Sequence, residues 1–249
     1  MNKDGVMIRI SITLEDQHSV SGLLDRPESA RALFVLAHGA GAGMEHSFMT
    51  AVADGLAARQ VATLRYQFPS MEAGTKRPDR PALAQATVRA AVAAASERAP
   101  DLPLLAGGKS FGGRMTSQAQ AERPLPHVRG IAFLGFPLHA AGKPADTRAE
   151  HLTQVELPML FLQGTRDALA DLALLRPVVT RLGGRATLLQ IDGADHSFHV
   201  PARSARTDAQ VLDDMLDALV EWVRDVADHR TARSGHARLG NLTGARQRS

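Results

Sequence analysis

The chain has 249 residues, of which 44% are hydrophobic and 22% are charged, as expected of one α/β domain with a large buried core. It contains no cysteine, which excludes disulfides, thiolate nucleophiles and cysteine-ligated metals, and no apolar run approaches the roughly 20 residues of a membrane-spanning helix. The formal net charge is +3, but five arginines within residues 229–249 supply more than this, so the rest of the chain has no basic excess for binding nucleic acid.

The first half of the chain predicts an antiparallel hairpin and then alternating strands and helices. Ile8, Ile10 and Ile12 alternate with polar residues, which is typical of a half-buried strand, and Ser19–Leu24 follows a polar turn as its partner. Ala32–Ala37 is a continuous apolar run, as in a strand that is covered on both faces. The further elements predicted here are a helix over His46–Arg59, a strand over Val61–Tyr66, a helix over Pro81–Ala99 and a strand over Pro103–Ala106.

The second half continues the same alternation. Apolar residues recur at helical spacing from Val211 to Val226 and predict a long last helix, and Thr207–Gln210 fits a capping box at its start. The pattern as a whole predicts an α/β fold: a doubly wound, mainly parallel sheet with helices on both faces and an antiparallel N-terminal hairpin. The other elements predicted here are a helix that ends near Ala121, strands over Gly130–Leu134, Met159–Leu162 and Ala186–Ile191, and a helix over Asp171–Leu182.

Two stretches outside this alternation define the domain organisation. Pro137–Pro158 is a connection of 22 residues, too short for a cap domain, so we expect no large cap and an open cleft, with a small lid formed by this connection as the alternative. Residues 229–249 contain five arginines, several glycines and no acid. We therefore predict an α/β domain over 1–228 and a basic, disordered tail over 229–249. The N-terminus lacks the charged and apolar regions of a signal peptide, which predicts a cytoplasmic protein.

The segment Gly107–Gly113 carries the strongest functional signal. It contains the pattern G-x-S-x-G directly after a short apolar run and before a predicted helix, the context of a nucleophile elbow in which a serine sits on a strained turn. We expect Gly108 and Gly112 to approach each other so closely that a Cβ on either would not fit. The amides at the start of the helix would face the space above Ser110, where an oxyanion can form.

An acid and a base follow this serine in the chain order Ser-Asp-His. Asp167 and His196 each come after a later predicted strand, so they would reach the carboxyl edge of the sheet from two separate strands. A serine hydroxyl is a poor nucleophile without an adjacent base that an acid orients. We therefore predict a triad of Ser110, His196 and Asp167. Asp171 is a weaker candidate for the acid because it can cap the next helix, and His199 is a weaker base because it lies further from its strand.

A glycine-rich turn, His38–Gly43, follows the first predicted parallel strand. Such a turn can present a main-chain amide to an oxyanion. We assign this donor to Ala40 and the second donor to Phe111, the residue after the serine. Gly39 and Gly41 are predicted substrate contacts in the same turn, and the histidine that begins the turn has a structural role.

The spacing of the motifs excludes two other kinds of site. Gly108-Lys109-Ser110 matches the end of a phosphate-binding P-loop, but that motif needs a glycine at the position of Pro103. His196 and His199 are spaced as a pair of metal ligands, but no third ligand stands at a suitable spacing. The sequence therefore predicts neither a metal nor a cofactor.

The sequence resembles the α/β-hydrolase superfamily, and within it the lidless, dienelactone-hydrolase-like serine enzymes, over about residues 6–227. The resemblance implies hydrolysis of a small ester, lactone or thioester through an acyl-enzyme, with water as the acyl acceptor. Dienelactone hydrolases carry cysteine where this chain has Ser110, so dienelactone itself is not implied. The motifs that carry the resemblance are HGAGxG at His38–Gly43, RYxFP at Arg65–Pro69, GGKSxGGR at Gly107–Arg114, PLH at Pro137–His139, QGxRD at Gln163–Asp167 and GxDHSF at Gly193–Phe198.

Several alternatives stay open on the same residues. Arg65, His139 and Arg166 are predicted substrate contacts, with a role in the scaffold as the alternative for each. A non-catalytic interaction protein is the main alternative to a hydrolase, since one relative of this group is a subunit of a chromatin acetyltransferase complex. A cofactor-free perhydrolase or lyase that uses the same triad is another. The sequence does not identify an oligomeric state.

Overall fold

The apolar runs of the sequence become the central strands of a mixed sheet. The computed structural model describes residues 5–228 and 238–242. The strands are β1 (Gly5–Thr13), β2 (Ser19–Pro27), β3 (Ala32–Ala37), β4 (Val61–Tyr66), β5 (Leu104–Lys109), β6 (Val128–Leu134), β7 (Met159–Gly164), β8 (Ala186–Ile191) and β9 (Arg238–Leu242). The helices are α1 (Ser47–Ala57), α2 (Pro69–Glu72), α3 (Pro81–Arg98), α4 (Phe111–Glu122), α5 (Leu172–Leu182) and α6 (Asp208–Ala227).

The order of the strands across the sheet is β1-β2-β4-β3-β5-β6-β7-β8-β9. β1 pairs antiparallel with β2, and β2 pairs antiparallel with β4, whereas every neighbouring pair from β4 to β9 is parallel. This topology confirms the predicted α/β fold with its antiparallel N-terminal hairpin. Because parallel strands end at the same edge of the sheet, the loops after β3, β5, β7 and β8 meet there.

Different helices cover the two faces of the sheet. Phe34 and Leu36 of β3 contribute to a core with α1 and α6, whereas Leu33 and Val35 contribute to a core with α3 and α4. A further core joins β6, β7 and β8 to α5. Since side chains alternate between the faces of a strand, a strand covered on both sides must be apolar throughout. All six residues of β3 are accordingly buried.

The longest described helix, α6, begins with the predicted capping box. The side chain of Thr207 accepts a hydrogen bond from the amide of Gln210, and the side chain of Gln210 accepts one from the amide of Thr207. One side of α6, with residues such as Met215 and Leu219, is buried in the core, and the other side is polar. Among the described helices, none has the length and apolar character needed to cross a membrane.

The connection between β6 and β7 contains 3₁₀ turns over Thr147–Gln154. Ala149 and Leu152 of these turns are buried in the core with α5, and Oγ of Ser117 on α4 lies 2.8 Å from Nε2 of His151. The connection is therefore packed onto the domain, and residues 5–228 contain no large cap, as predicted.

Part of the predicted tail belongs to the sheet. The sequence predicts disorder over 229–249, but residues 238–242 form β9, which pairs parallel with β8 from Thr187 to Ile191. Leu242 packs against the core below α6, and the guanidinium of Arg206 donates to its carbonyl oxygen at 2.9 Å. The prediction was wrong for this strand because a short edge strand takes its structure from the neighbour with which it pairs, not from a local pattern. The rest of the tail lies outside the described residues.

Candidate active site

Ser110 stands at the sharp turn between β5 and α4. Its main-chain angles are φ 49° and ψ −114°. Such a conformation costs a residue other than glycine on the order of 1–3 kcal/mol, so the surrounding structure must impose it. The amide of Ser110 donates to the carbonyl oxygen of Leu134 at 3.2 Å, and α4 begins at the next residue, Phe111. The turn thus has the strand–turn–helix arrangement of a nucleophile elbow.

Glycines allow the elbow to approach the end of β3. A Cβ on Gly108 would lie 2.2 Å from the carbonyl oxygen of Ala37, and a Cβ on Gly112 would lie 2.5 Å from that of His38. In both cases the Cβ would clash with a main-chain atom, which cannot move away by rotation as a side chain can. The sequence predicts that Gly108 and Gly112 approach each other. In the structure each of them approaches the end of β3 instead, and the glycine that packs against the carbonyl group of Gly108 is Gly113.

Ser110, His196 and Asp167 form a hydrogen-bonded line at the carboxyl edge of the sheet. Nε2 of His196 lies 2.8 Å from Oγ of Ser110, and Nδ1 lies 2.7 Å from Oδ2 of Asp167. The side chain of Asp167 is fully buried, whereas that of His196 is 23% exposed. The acid is therefore shielded from water, while the imidazole can be reached from outside. The three residues follow β5, β8 and β7 respectively, as their spacing in the sequence predicts.

Gln163 of β7 orients the acid, a role that the sequence did not reveal. Its buried side chain donates from Nε2 to Oδ2 of Asp167 and accepts at Oε1 from the amide of Phe136 at 2.9 Å. Asp167 accepts a further hydrogen bond at Oδ1 from the amide of Leu169 at 2.7 Å. Donors thus hold both carboxylate oxygens, which fixes the side chain toward His196. The available signal was a lone polar residue inside an otherwise apolar strand.

The turn after β3 passes beside the nucleophile. A Cβ on Gly39 would lie 3.9 Å from Cβ of Ser110. No residue in the described part of the chain accepts a hydrogen bond from the amide of Ala40. The amide of Phe111 occupies the first position of α4, where a helix offers no acceptor. Both amides thus have no acceptor in the described part of the chain, and the N-terminal end of the α4 dipole favours negative charge near Phe111. Their role as donors to an oxyanion stays a prediction.

Buried His38 braces this turn. Its Nε2 accepts from the amide of Phe68 at 3.1 Å, so Nδ1 carries the hydrogen and donates to the carbonyl oxygen of Gly39 at 2.7 Å. Burial lowers the pKa of His38, which keeps the ring neutral and preserves this pattern of donor and acceptor. Gly41 turns the chain at φ 69°, against the carbonyl oxygen of Lys76. Its contact with a substrate stays a prediction.

Lys109, directly before the nucleophile, places a cation in the site. Its Nζ donates to the carbonyl oxygen of His196 at 2.5 Å. The same nitrogen lies 5.1 Å from the ring centre of Phe198 and 5.9 Å from that of Phe48. Burial lowers the pKa of Lys109 to about 8, against the opposing effect of two nearby aspartates. The contacts of this lysine with the histidine loop were not predicted from the sequence.

Two predicted substrate contacts lie in the scaffold. Arg65 is buried at the end of β4, where it donates to Oγ1 of Thr50 at 3.1 Å and to a main-chain carbonyl. His139 is also buried, and its Nε2 accepts from the amide of Asp171 at 2.9 Å. Because both side chains are covered and bonded to the protein, the scaffold role replaces the predicted substrate contact. The prediction rested on their positions near the ends of strands, and such a position does not determine whether a side chain faces the cleft or the interior.

Arg166, the third predicted substrate contact, is exposed beside the acid. Its amide donates to the carbonyl oxygen of Ala194 at 2.9 Å, which ties the loop after β7 to the loop after β8. No carboxylate of the described residues forms an ion pair with its guanidinium. The side chain of Arg166 is thus exposed to solvent, and its contact with an anionic group of a substrate stays a prediction.

The weaker candidates for acid and base have other partners. Asp171 caps α5 by accepting from the amide of Ala173 at 2.8 Å. Nδ1 of His199 lies 2.8 Å from Oδ2 of Asp208, at the start of α6. Within the ranges that the structure describes, no three His, Asp or Glu side chains are grouped as ligands for a metal ion.

A mainly parallel sheet with a serine elbow after β5, an acid after β7 and a histidine after β8 is the architecture of the α/β-hydrolase class. A model of the alpha/beta hydrolase domain family matches residues 30–224, from just before β3 into the last turn of α6. The chain therefore belongs to the α/β-hydrolase domain family. The resemblance found in the sequence is thereby confirmed at the level of the family.

Solved structures share this fold at low sequence identity. A dienelactone hydrolase from Anabaena variabilis has a TM-score of 0.69 and 20% identity, over 89% of this chain and 98% of that chain. An α/β serine hydrolase homologue from Coxiella burnetii has a TM-score of 0.67 and 18% identity, over 90% and 98%. A lidless α/β serine hydrolase from Xanthomonas campestris has a TM-score of 0.66 and 20% identity, over 90% and 95%. The fold is therefore that of dienelactone-hydrolase-like proteins.

Proposed function

We propose that this protein is a serine hydrolase that cleaves small carboxylic esters, lactones or thioesters through an acyl-enzyme. The observation that carries the proposal is the line from Ser110 through His196 to Asp167, with hydrogen-bond distances of 2.8 Å and 2.7 Å. A serine becomes a nucleophile when an adjacent base takes its proton and an acid orients that base. Esterases and a dienelactone hydrolase among the similar solved structures support the same class of reaction.

In the acylation step, Oγ of Ser110 attacks the substrate carbonyl carbon while Nε2 of His196 takes the hydroxyl proton. Asp167 holds the imidazole tautomer and stabilises the imidazolium that forms. The negatively charged oxygen accepts from the amides of Ala40 and Phe111, and each such donor typically contributes about 2.7–4 kcal/mol of transition-state stabilisation. The tetrahedral intermediate then collapses, and His196 returns the proton to the leaving alcohol or thiol.

Deacylation repeats these steps with water. His196 takes a proton from a water molecule, whose oxygen attacks the acyl carbon, and the same two amides bind the oxyanion. Collapse of the second intermediate returns the proton to Oγ of Ser110 and releases a carboxylic acid. Each turnover thereby consumes one ester bond and one molecule of water, and the triad returns to its initial protonation state.

The surroundings of the triad favour small substrates. The connection after β6, which would have to form a lid, is instead anchored by buried residues against α4 and α5. A substrate would therefore bind in a cleft rather than under a cap domain. The exposed guanidinium of Arg166 would attract a carboxylate elsewhere on the substrate. Acyl groups that carry a negative charge are accordingly a sensible first choice in a substrate panel.

Labelling with a fluorophosphonate probe and hydrolysis of p-nitrophenyl acetate test the proposal. We expect the wild type to be labelled and to release nitrophenolate, and Ser110→Ala to lose labelling and roughly 10³-fold or more of kcat. Ser197→Ala replaces an exposed serine in the histidine loop and serves as the matched control, which should keep both activities. A wild type as inert as Ser110→Ala would contradict the proposal and favour a non-catalytic interaction protein.

A panel of esters and lactones then distinguishes hydrolysis from other reactions of the same triad. A hydrolase converts each equivalent of ester into one equivalent of acid and one of alcohol. Release of alcohol without the matching acid, or acid formation only in the presence of peroxide, would point to a lyase or a perhydrolase. Product analysis by mass spectrometry measures this balance.

A further inference from the structure

Lys109 connects the nucleophile to the loop that carries the base. It is the last residue of β5 and precedes Ser110, while its Nζ donates to the carbonyl oxygen of His196 at 2.5 Å. One side chain therefore spans the two residues whose alignment controls proton transfer. Nε2 of His196 must stay near its 2.8 Å distance from Oγ of Ser110, since a misplacement of about 1 Å at such a site costs on the order of 100-fold in rate.

Two aromatic rings complete the surroundings of the ammonium group. Nζ lies 5.1 Å from the ring centre of Phe198 and 5.9 Å from that of Phe48, within the range of cation–π attraction. The rings themselves stack with centres 5.8 Å apart and an interplanar angle of 15°. Phe198 belongs to the same loop as His196, whereas Phe48 belongs to α1. Lys109 thus contacts the histidine loop at both a carbonyl oxygen and a ring face.

A glycine provides the space beside this contact. A Cβ on Gly135, which follows β6, would lie 3.1 Å from Nζ of Lys109 and 3.5 Å from Nδ1 and Cε1 of His196. A Cβ at this position would therefore crowd the ammonium group and lie in van der Waals contact with the imidazole. Three parts of the chain therefore define the position of the lysine: β5 carries it, the histidine loop accepts its hydrogen bond, and the glycine after β6 leaves room for its ammonium group.

The charges around Lys109 make its contacts depend on protonation. Burial favours the neutral amine, while the carboxylates of Asp167 and Asp195 favour the ammonium ion, and the resulting pKa is about 8. A neutral amine keeps a hydrogen to donate, but it loses the cation–π attraction and the charge-assisted strength of the bond to the carbonyl oxygen. The contact is therefore strongest when the nitrogen is charged.

We propose that Lys109 is a positioning residue for the catalytic base: its ammonium group fixes the main chain of His196 so that the imidazole stays aligned with Ser110. The proposal rests on the proposed hydrolase function and adds a residue to the same site. Lys109 touches neither the substrate nor the reacting atoms in this role. It acts through the loop that it holds.

Three variants test the role at neutral pH. Lys109→Met keeps the length of the side chain without the charge and should lower kcat by about 10- to 100-fold, with KM within about twofold, because alignment rather than binding is lost. Lys109→Arg keeps a charged donor and should restore most of kcat. Lys76→Met removes an exposed lysine and is the matched control, with kinetics like those of the wild type.

A pH profile separates positioning from a merely structural role. The ammonium form of Lys109 is present below pH 8 and is lost above it, so wild-type kcat should fall as the pH rises through about 8. The Lys109→Arg profile should stay level over the same range, because a guanidinium keeps its proton there. Lys109→Met should be slow and should lack the step near pH 8.

The outcomes distinguish this proposal from the hydrolase proposal. A wild type that fluorophosphonate does not label overturns both. A labelled wild type whose kcat and labelling rate match those of Lys109→Met at every pH overturns only the role of Lys109. Circular dichroism checks that each variant is folded. If Lys109→Met does not fold, the comparison of wild type with Lys109→Arg tests the proposal. Equal pH profiles of kcat for these two proteins above pH 8 would overturn it.

Discussion

Hydrogen bonds from neighbouring residues fix the orientation of the Asp167 carboxylate. Its side chain is fully buried, and an unpaired charge at such a position would be strongly destabilising. Gln163 and the amide of Leu169 donate to it, and His196 is its partner at 2.7 Å. The acid can therefore hold the imidazole in one tautomer and one orientation, as the proposed proton transfer from Ser110 requires.

Replacing Gln163 by leucine removes these contacts at nearly constant volume. The amide of Phe136 loses its acceptor, and Asp167 loses a donor, so we expect a loss of about 1–3 kcal/mol in the free energy of unfolding. We also expect kcat to fall at least about tenfold, because the acid is no longer fixed. Urea unfolding and ester hydrolysis measure the two effects. Gln85→Leu on α3 is the control, and equal kcat for both variants would show that Asp167 does not need this donor.

Residues with a local signal were predictable, and residues that depend on distant partners were not. Ser110, Asp167 and His196 could be proposed because each follows a predicted strand in a fixed order. Gln163 accepts a hydrogen bond from the amide of Phe136, which is 27 residues away in the sequence. Lys109 donates one to the carbonyl oxygen of His196, which is 87 residues away. Only the folded sheet brings those pairs together, so the neighbouring sequence does not identify their partners.

At the level of elements, continuous apolar runs predicted the strands well. The bounds predicted for β3, β4 and β8 are those of the structure. β3 is apolar and buried from end to end, as expected of a strand covered on both faces, whereas β4 and β8 are mainly apolar and each includes polar residues. The sequence missed α2 and the 3₁₀ turns over Thr147–Gln154. Segments this short carry too few residues to show a period.

The elbow depends on close contact between elements, and Gly108→Ala tests this directly. Its Cβ would lie 2.2 Å from the carbonyl oxygen of Ala37, and relief would require β3 and β5 to separate. We expect a loss of at least about 3 kcal/mol in the free energy of unfolding, or failure to fold. Gly142→Ala is the matched control: it has φ 69° but no atom within 4 Å of the new Cβ, so strain alone should cost about 1 kcal/mol. Equal losses in urea unfolding would contradict the importance of close approach.

At the scale of the whole molecule, β9 closes one side of the sheet. It covers the edge of β8, whose unpaired amides and carbonyls would otherwise be available to another chain. The bond from Arg206 to Leu242 and the contact of Leu242 with the core tie this strand to the domain. The five-residue strand lies at the edge of the sheet, on the far side of β8 from β7 and β5, the strands that precede Asp167 and Ser110.

Truncation after Asp228 should therefore reduce stability without reducing activity. Loss of β9 exposes the edge of β8, so we expect a lower Tm, by about 2–4 °C for each kcal/mol lost, and more self-association at high concentration. Truncation after Leu242 keeps β9 and is the control. Calorimetry and size-exclusion chromatography compare the two chains. Identical Tm values would show that the strand contributes nothing to the stability of the domain.

The packing of Gly108 and Gly112 on the end of β3 has an evolutionary consequence. It joins Ser110 and the turn that carries Ala40 into one rigid unit at the middle of the sheet, whereas the acid and the base stand on separate loops after β7 and β8. Substitutions in those two loops can remove Asp167 or His196 and leave the rigid unit intact. A descendant that has lost turnover in this way would keep the oxyanion site proposed for the amides of Ala40 and Phe111, from which a binding protein can evolve.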